Sequence, residues 1–215
     1  MSRPASLPLA CRVCGADHDG STAPIACVAC GAVLPVHPQV SPFALLGLAR
    51  PRFHVDDSAL DRAWLERSRR VHPDRFARKS DAERRCAAEQ VAALNDAKRA
   101  LSVPYDRALW LVQRAGVPLA TLGPAWLTEL MELRERAEGD DADKQRVIDE
   151  ARARFAERLA TLDAVLGPLD DIDDAYATPS AALRRAAALL AELKTLARLV
   201  DDLGGGKLIA TLDER

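Results

Sequence analysis

Aromatic residues make up only 4% of this 215-residue chain, and it holds just two methionines. About a third of the residues are Leu or Ala and 29% are charged, a balance that favours helices over a sandwich or barrel. No apolar run approaches the roughly 18 residues of a membrane span, so no membrane partner is expected. The opening MSRPASLPLA has one Arg and too short an apolar stretch for a secretory signal. A bacterial cytoplasm fits this Ala/Arg-rich chain without a transit peptide better than a mitochondrion does. A large charge of one sign is also missing: a formal net charge of −2 gives no general pull toward nucleic acid. Hydrophobic residues are not scarce, and at 48% they suffice for a packed core rather than wholesale disorder.

The small net charge hides an asymmetry. From Arg62 to Lys79 seven basic side chains stand against Glu66 and Asp74, whereas from Glu129 to Asp174 fifteen acids stand against seven bases. Opposite blocks on one chain suggest two surfaces for two partners, although two solvated helix faces would give the same pattern.

Three regions separate along the chain. Residues 1–40 hold four of the five cysteines and show no helical period. Residues 41–115 begin with Ser41-Pro42, a helix cap followed by proline at the first helical position. A short helix through Phe43, Leu45 and Leu46 ends at Gly47. Asp56 opens a second helix with Leu60, Trp64 and Val71 near one face, and Pro73 ends it. Ser80-Asp81-Ala82-Glu83 is a capping box for a third helix, whose inner face is Ala87, Val91, Leu94 and Leu101. Pro104 lies just past its end. Residues 119–215 form the last region. A helix opens at Pro124, a second runs from about Asp141 to Leu166, and a third starts near Thr178-Pro179 and stops at Gly204-Gly205-Gly206. Three long amphipathic helices with short connections predict an antiparallel bundle.

Cys11-x2-Cys14 and Cys27-x2-Cys30 are each followed by glycine. Two residues between thiolates let one tight turn present both sulfurs to one ion, and glycine permits the positive φ of that turn. Two such knuckles complete a tetrahedral four-sulfur shell that suits Zn²⁺. Two disulfides or an iron–sulfur cluster are the alternatives, and disulfides fit poorly without a mark of export. Forty residues with few large apolar side chains need the metal to fold, so Cys11, Cys14, Cys27 and Cys30 are expected to hold a structural zinc. His18 reads as a solvated loop residue and Cys86 as a small core residue.

The most informative stretch is Val71-His72-Pro73-Asp74-Arg75-Phe76, between two helices, the first of which carries Arg62, Arg67, Arg69 and Arg70. Pro73 stiffens the turn and holds His72 extended, so His72 and Asp74 stand out as a small polar probe beside a positive helix face. No nucleophile or third catalytic group lies nearby in sequence, and the chain is not expected to be an enzyme.

With these residues, the region from Ser41 to about Arg114 resembles a J domain, the module that stimulates the ATPase of DnaK-type chaperones. Leu94-Asn95-Asp96-Ala97, Leu101, Pro104, Arg107-Ala108 and the run Trp126–Glu135 narrow the resemblance to co-chaperones of the HscB type, and it extends to about residue 203. The resemblance implies a mainly α fold: a zinc-ribbon-like module over 1–40, a J domain over 41–115, and a three-helix bundle over 119–215. It implies two partners, a DnaK-type (HscA-like) ATPase and an iron–sulfur cluster scaffold protein (IscU-like). His72, Pro73 and Asp74 would trigger the ATPase, with Arg62, Arg69, Arg70 and Arg75 as a docking face. Leu127, Met131, Glu132 and Glu135 would bind the scaffold.

Three positions depart from the family pattern: Arg67 stands at a usually apolar core position, Thr128 at an often apolar patch position, and Thr195 where an aromatic is frequent. Two other readings stay open on the sequence: a general J-domain co-chaperone for unfolded clients, and a zinc-ribbon nucleic-acid adaptor using the basic block. Trp64, Trp110 and Trp126 lie at helical positions and read as core anchors rather than base-stacking platforms. His37 and His54 read as surface or loop histidines.

Overall fold

A computed structural model describes residues 7–209. The sequence regions 1–40 and 119–215 therefore reach, at residues 1–6 and 210–215, outside the described residues. The chain forms two compact units: residues 1–51 with 55–102, and residues 52–54 with 103–215.

The first unit opens with a two-stranded antiparallel sheet. Strand β1 (Pro8–Ala10) pairs with β2 (Asp17–Asp19), placing Leu9 opposite His18. Helices α1 (Pro42–Leu45), α2 (Asp57–Arg70), α3 (Pro73–Phe76) and α4 (Asp81–Ser102) follow, and α1, α2 and α3 all pack against α4. The starts of the helices follow the local chemistry. The Ser41 hydroxyl accepts from the Ala44 N–H, and Asp56 accepts from the Ser58 N–H. Ser80 and Glu83 exchange reciprocal bonds at the start of α4. Gly47 ends the first helix with φ +73°, a conformation that costs a residue with a Cβ. Phe43, Leu46, Leu60, Val71, Leu94 and Leu101 are buried in this unit. Of the expected inner face of α4, Ala87, Leu94 and Leu101 are buried and Val91 is half-buried.

The second unit contains α5 (Pro104–Arg114), α6 (Pro124–Arg136), α7 (Asp141–Leu166) and α8 (Ala181–Asp202). Helix α7 packs along α8, α6 packs on α7, and α5 packs on α8. Helix α8 is the hub: Leu183, Leu190, Leu193, Leu196 and Val200 are all shut off from solvent. Asp140 and Asp143 form a capping box at the start of α7. Asp170 fastens the 52–54 segment to this unit by accepting from the His54 N–H at 2.7 Å and the Tyr176 hydroxyl at 2.8 Å. Burial, together with Asp170, raises the Tyr176 hydroxyl above the usual phenol range. His54, read as a surface or loop histidine, is exposed but not alone: its Nε2 lies 2.8 Å from Asp163 and its Nδ1 3.2 Å from Asp170.

The fold is mainly α, with a small N-terminal cysteine-built module, a helical hairpin bearing the His-Pro-Asp turn, and a C-terminal helical bundle. The compact units and the sequence regions cut the chain at different places. Helix α5 lies within 41–115 yet packs on α8, and the cysteine module packs into one unit with α1–α4. No helix among the described residues is long and apolar enough to cross a membrane.

Candidate functional site

Four cysteines come together at the start of the chain. The sulfurs of Cys11, Cys14, Cys27 and Cys30 all lie within 4.8 Å of one another, a spacing that could hold a metal ion. Each knuckle is built by the same local bonds. The Gly15 N–H donates to the Cys11 carbonyl at 2.9 Å, and the Gly31 N–H donates to the Cys27 carbonyl at 2.8 Å. Gly15 and Gly31 take φ values of +74° and +73° with open space where a Cβ would sit, so the glycines are there for backbone conformation and not for room. The backbone N–H groups of Cys14 and Val13 pull the Cys11 thiol down to about 7, while at Cys30 the lowering Ala32 N–H is outweighed by Cys14, burial and the other cysteines, which push that thiol up to about 12. His18 is not a solvated loop residue: it sits in β2, half-buried, with Nε2 3.2 Å from Cys27 Sγ. An imidazole this close to a cysteine sulfur is placed as an outer partner to a metal-ligand candidate. Cys86 is buried, as expected of a core residue, and its nearest polar partner is Arg12 at 3.8 Å.

The His-Pro-Asp turn sits where α2 ends and α3 begins. Val71 is fully buried and anchors the corner, while the His72 and Asp74 side chains are 60% and 91% exposed, available to a partner. His72 caps α3 by accepting the Asp74 N–H on Nδ1 at 3.4 Å. The Asp74 carboxylate lies 3.5 Å from the same Nδ1. Pro73 is the first residue of α3.

The basic residues lie on exposed faces around this corner. Arg62, Arg69, Arg70 and Arg75 are all exposed. Arg70 pairs with Glu66 at 2.6 Å, and Arg75 donates to the Arg69 carbonyl at 3.2 Å, which ties the turn to the end of α2. Arg67 turns away from solvent. Its guanidinium donates to the Ala23 carbonyl of the cysteine module at 3.0 Å and packs beside Gly47. Burial, and then the nearby charge of Arg70, lower its pKa.

On α6 the bundle uses one face and leaves another. Leu133 is buried and Leu130 half-buried, whereas Leu127 is 46% and Met131 62% exposed. Leu127, Met131 and Glu135 recur every four residues and so share one stripe, with Glu132 beside it. Thr128 is exposed and bonds back to the Pro124 carbonyl, keeping its polar oxygen within α6. Thr195 accepts the Trp126 indole N–H at 3.0 Å, so the departure from an aromatic at this position is matched by a hydrogen bond. Trp64, Trp110 and Trp126 are each half-buried.

No protein-family model matches the chain. The chain is 41% identical over 131 residues to a co-chaperone protein HscB homolog of Bordetella petrii, covering 56% of this chain and 76% of that protein. It is 32% identical over 171 residues to the HscB homolog of Vibrio vulnificus, covering 74% of this chain and 96% of that protein. Among solved structures, human co-chaperone HscB superposes with a TM-score of 0.71 at 21% identity, over 91% of this chain and 96% of the human one. Chaperone HscB from Vibrio cholerae superposes with a TM-score of 0.61 at 29% identity, over 77% of this chain and 96% of that one.

Proposed function

Because this chain belongs to the HscB family of co-chaperones, we propose that it delivers an iron–sulfur cluster scaffold protein to a DnaK-type chaperone and stimulates that chaperone's ATPase. In this reading residues 41–115 act as the J domain and 119–215 as the scaffold-binding bundle. Residues 1–40 are a module in which Cys11, Cys14, Cys27 and Cys30 hold a structural zinc. Four thiolate ligands fill a tetrahedral shell and leave no open position for catalysis, so the metal's contribution is folding energy.

The exposed His72–Asp74 tip beside a cationic helix face is the observation that carries the reading. The tip can insert into a partner without rearranging, because Val71 is buried beneath it and the Asp74 N–H already occupies His72 Nδ1. Arg62, Arg69, Arg70 and Arg75 steer an acidic partner surface toward it. On the bundle, Leu127 and Met131 offer an apolar strip rimmed by Glu132 and Glu135, the composition of a small partner site. Holding the scaffold there presents its peptide to the chaperone while the tip promotes hydrolysis, and hydrolysis then traps the peptide and favours cluster release. None of these steps asks the chain to make or break a covalent bond.

Single-turnover ATP hydrolysis by the cognate chaperone tests this. His72→Gln is expected to abolish stimulation while leaving helicity and scaffold binding at the wild-type level. Stimulation retained in that variant would overturn the trigger. Suppression of aggregation of unrelated unfolded proteins, with no capture of a cluster scaffold, would favour a general J-domain co-chaperone instead.

A further inference from the structure

Between the cysteine module and the α2–α3 corner lies a groove of about 550 Å³; Arg70 and Arg75 at its edge belong to the docking face described above, whereas Ile25, Arg67, Phe76 and Lys79 have no role assigned there. Ile25 of the module lines one wall. Arg67, Arg70, Arg75, Phe76 and Lys79 line the other. No carboxylate is among its described lining residues. Arg70 and Lys79 have acidic neighbours, Glu66 at 2.6 Å and Glu83 at 3.9 Å, but both acids lie outside the groove. Arg67 and Arg75 donate to the carbonyls of Ala23 and Arg69 and, although the Glu66 charge is felt at Arg67, neither is in an ion pair among the described residues. Four cations lining one concave surface focus a positive potential into it.

The module wall is fixed to the helices at three points. Arg67 reaches the Ala23 carbonyl, the buried Gln90 amide donates to the Leu34 carbonyl at 3.0 Å, and Arg12 pairs with Glu89 at 2.7 Å. The groove is thus a built feature of one compact unit and not a gap beside a loose arm. Its lining is mixed, because the half-buried Ile25 and Phe76 add apolar surface between the charges. Cations interleaved with aliphatic surface match an acidic peptide carrying an apolar side chain. A nucleic-acid strand would call for exposed aromatic platforms, and the one aromatic here is half-buried.

We propose that this groove is a second docking site for the ATPase partner, taking an extended acidic segment with an apolar residue, and that the cysteine module exists in part to form its wall. The proposal rests on the function argued above. It explains why Arg67 stands at a core position: a cation there both pins the module and charges the groove. It also makes the groove continuous with the trigger, since Arg70 and Arg75 border both.

The test is a titration of ATPase stimulation with the intact, metal-loaded chain. Lys79→Glu, alone and with Ile25→Asp, is expected to raise the half-stimulating concentration about tenfold and leave maximal stimulation unchanged. His72→Gln loses the maximum itself. Metal content and helicity equal to wild type show that the variants are folded. The exposed single variant Lys79→Glu carries the test if the double variant does not fold. An unshifted half-stimulating concentration in Lys79→Glu, with His72→Gln inactive, overturns the groove alone. Absence of stimulation by the wild-type chain removes the earlier reading and this one with it. Binding of a single-stranded oligonucleotide at physiological salt that Lys79→Glu abolishes would make the groove a phosphate-backbone site and overturn the peptide assignment.

Discussion

The cysteine module and the C-terminal bundle solve the same problem by opposite means. The bundle's helix α8 alone buries Leu183, Leu190, Leu193, Leu196 and Val200, and α7 adds Leu162 and Leu166. The module's core cluster is Leu9, Cys11, Cys27, Ala32 and Leu34, so two of the five members of that cluster are metal-ligand candidates. A core that small does not offset the backbone entropy of some thirty ordered residues at about 1–2 kcal/mol each. The bundle is held by area removed from water, whereas the module would need directed bonds from its four clustered cysteines to a metal ion. Damage should therefore be all-or-none in the module and graded in the bundle.

Metal removal is the sharpest break. Chelation should melt residues 7–40, seen as loss of slow amide exchange at Cys11, Cys27 and Leu34, while helical circular dichroism from α7 and α8 persists. Apparent zinc-binding energies of about 10–16 kcal/mol in small metal-folded domains set the scale. A module that keeps its exchange protection after the metal is gone would show that burial and the pins at Ala23, Leu34 and Glu89 suffice without it.

In the bundle the largest expected effect is smaller. Leu193 is fully buried at the centre of α8, and Leu193→Ala leaves a cavity costing roughly 2–5 kcal/mol. Urea denaturation followed by tryptophan fluorescence measures it, and a loss under 1 kcal/mol would mean that the bundle collapses around the gap. Smaller again is the α8 cap, where the Ser180 hydroxyl accepts the Leu183 N–H at 3.2 Å. Ser180→Ala should cost about 1 kcal/mol, and Ser180→Asp should recover most of it.

The same contrast governs what the sequence made legible. Features written in adjacent residues were readable: the two knuckles, the caps at Ser41, Asp56 and Ser80, and the span of α7 from Asp141 to Leu166. Helix α5 was not. Pro104 reads as a terminator for α4, but proline at a first helical position also starts a helix, and here it does. The buried side of α5 also takes in Asp106 and Arg107 beside Tyr105, Leu109 and Leu111, so its charged residues do not all mark a solvated face. Contacts between distant residues left no signal either. Arg67 and Ala23 are 44 positions apart, and Asp170 and His54 are 116 apart. The basic groove was hidden for the same reason: Lys79 is legible as charge, but Ile25 gains its meaning only once the module is folded against α2 and α3. On α6 the residues alone did not separate core from uncovered positions; the family resemblance singled out Leu127 and Met131, which are exposed.

The α6 strip is where stability and function should separate. Leu127 and Met131 are the exposed apolar pair on a helix whose neighbours Leu130 and Leu133 face the bundle. Leu127→Ala with Met131→Ala removes side chains that already meet water, so the stability change should stay within about 0.5 kcal/mol per substitution. If the strip binds the scaffold, its affinity should nevertheless fall at least tenfold in calorimetry, because apolar anchors ringed by polar residues carry most of the energy in small interfaces. The companion Leu133→Ala should do the reverse, costing stability first. A double variant that loses several kcal/mol of stability and binds the scaffold normally would assign Leu127 and Met131 to the bundle core and leave α6 without a partner face.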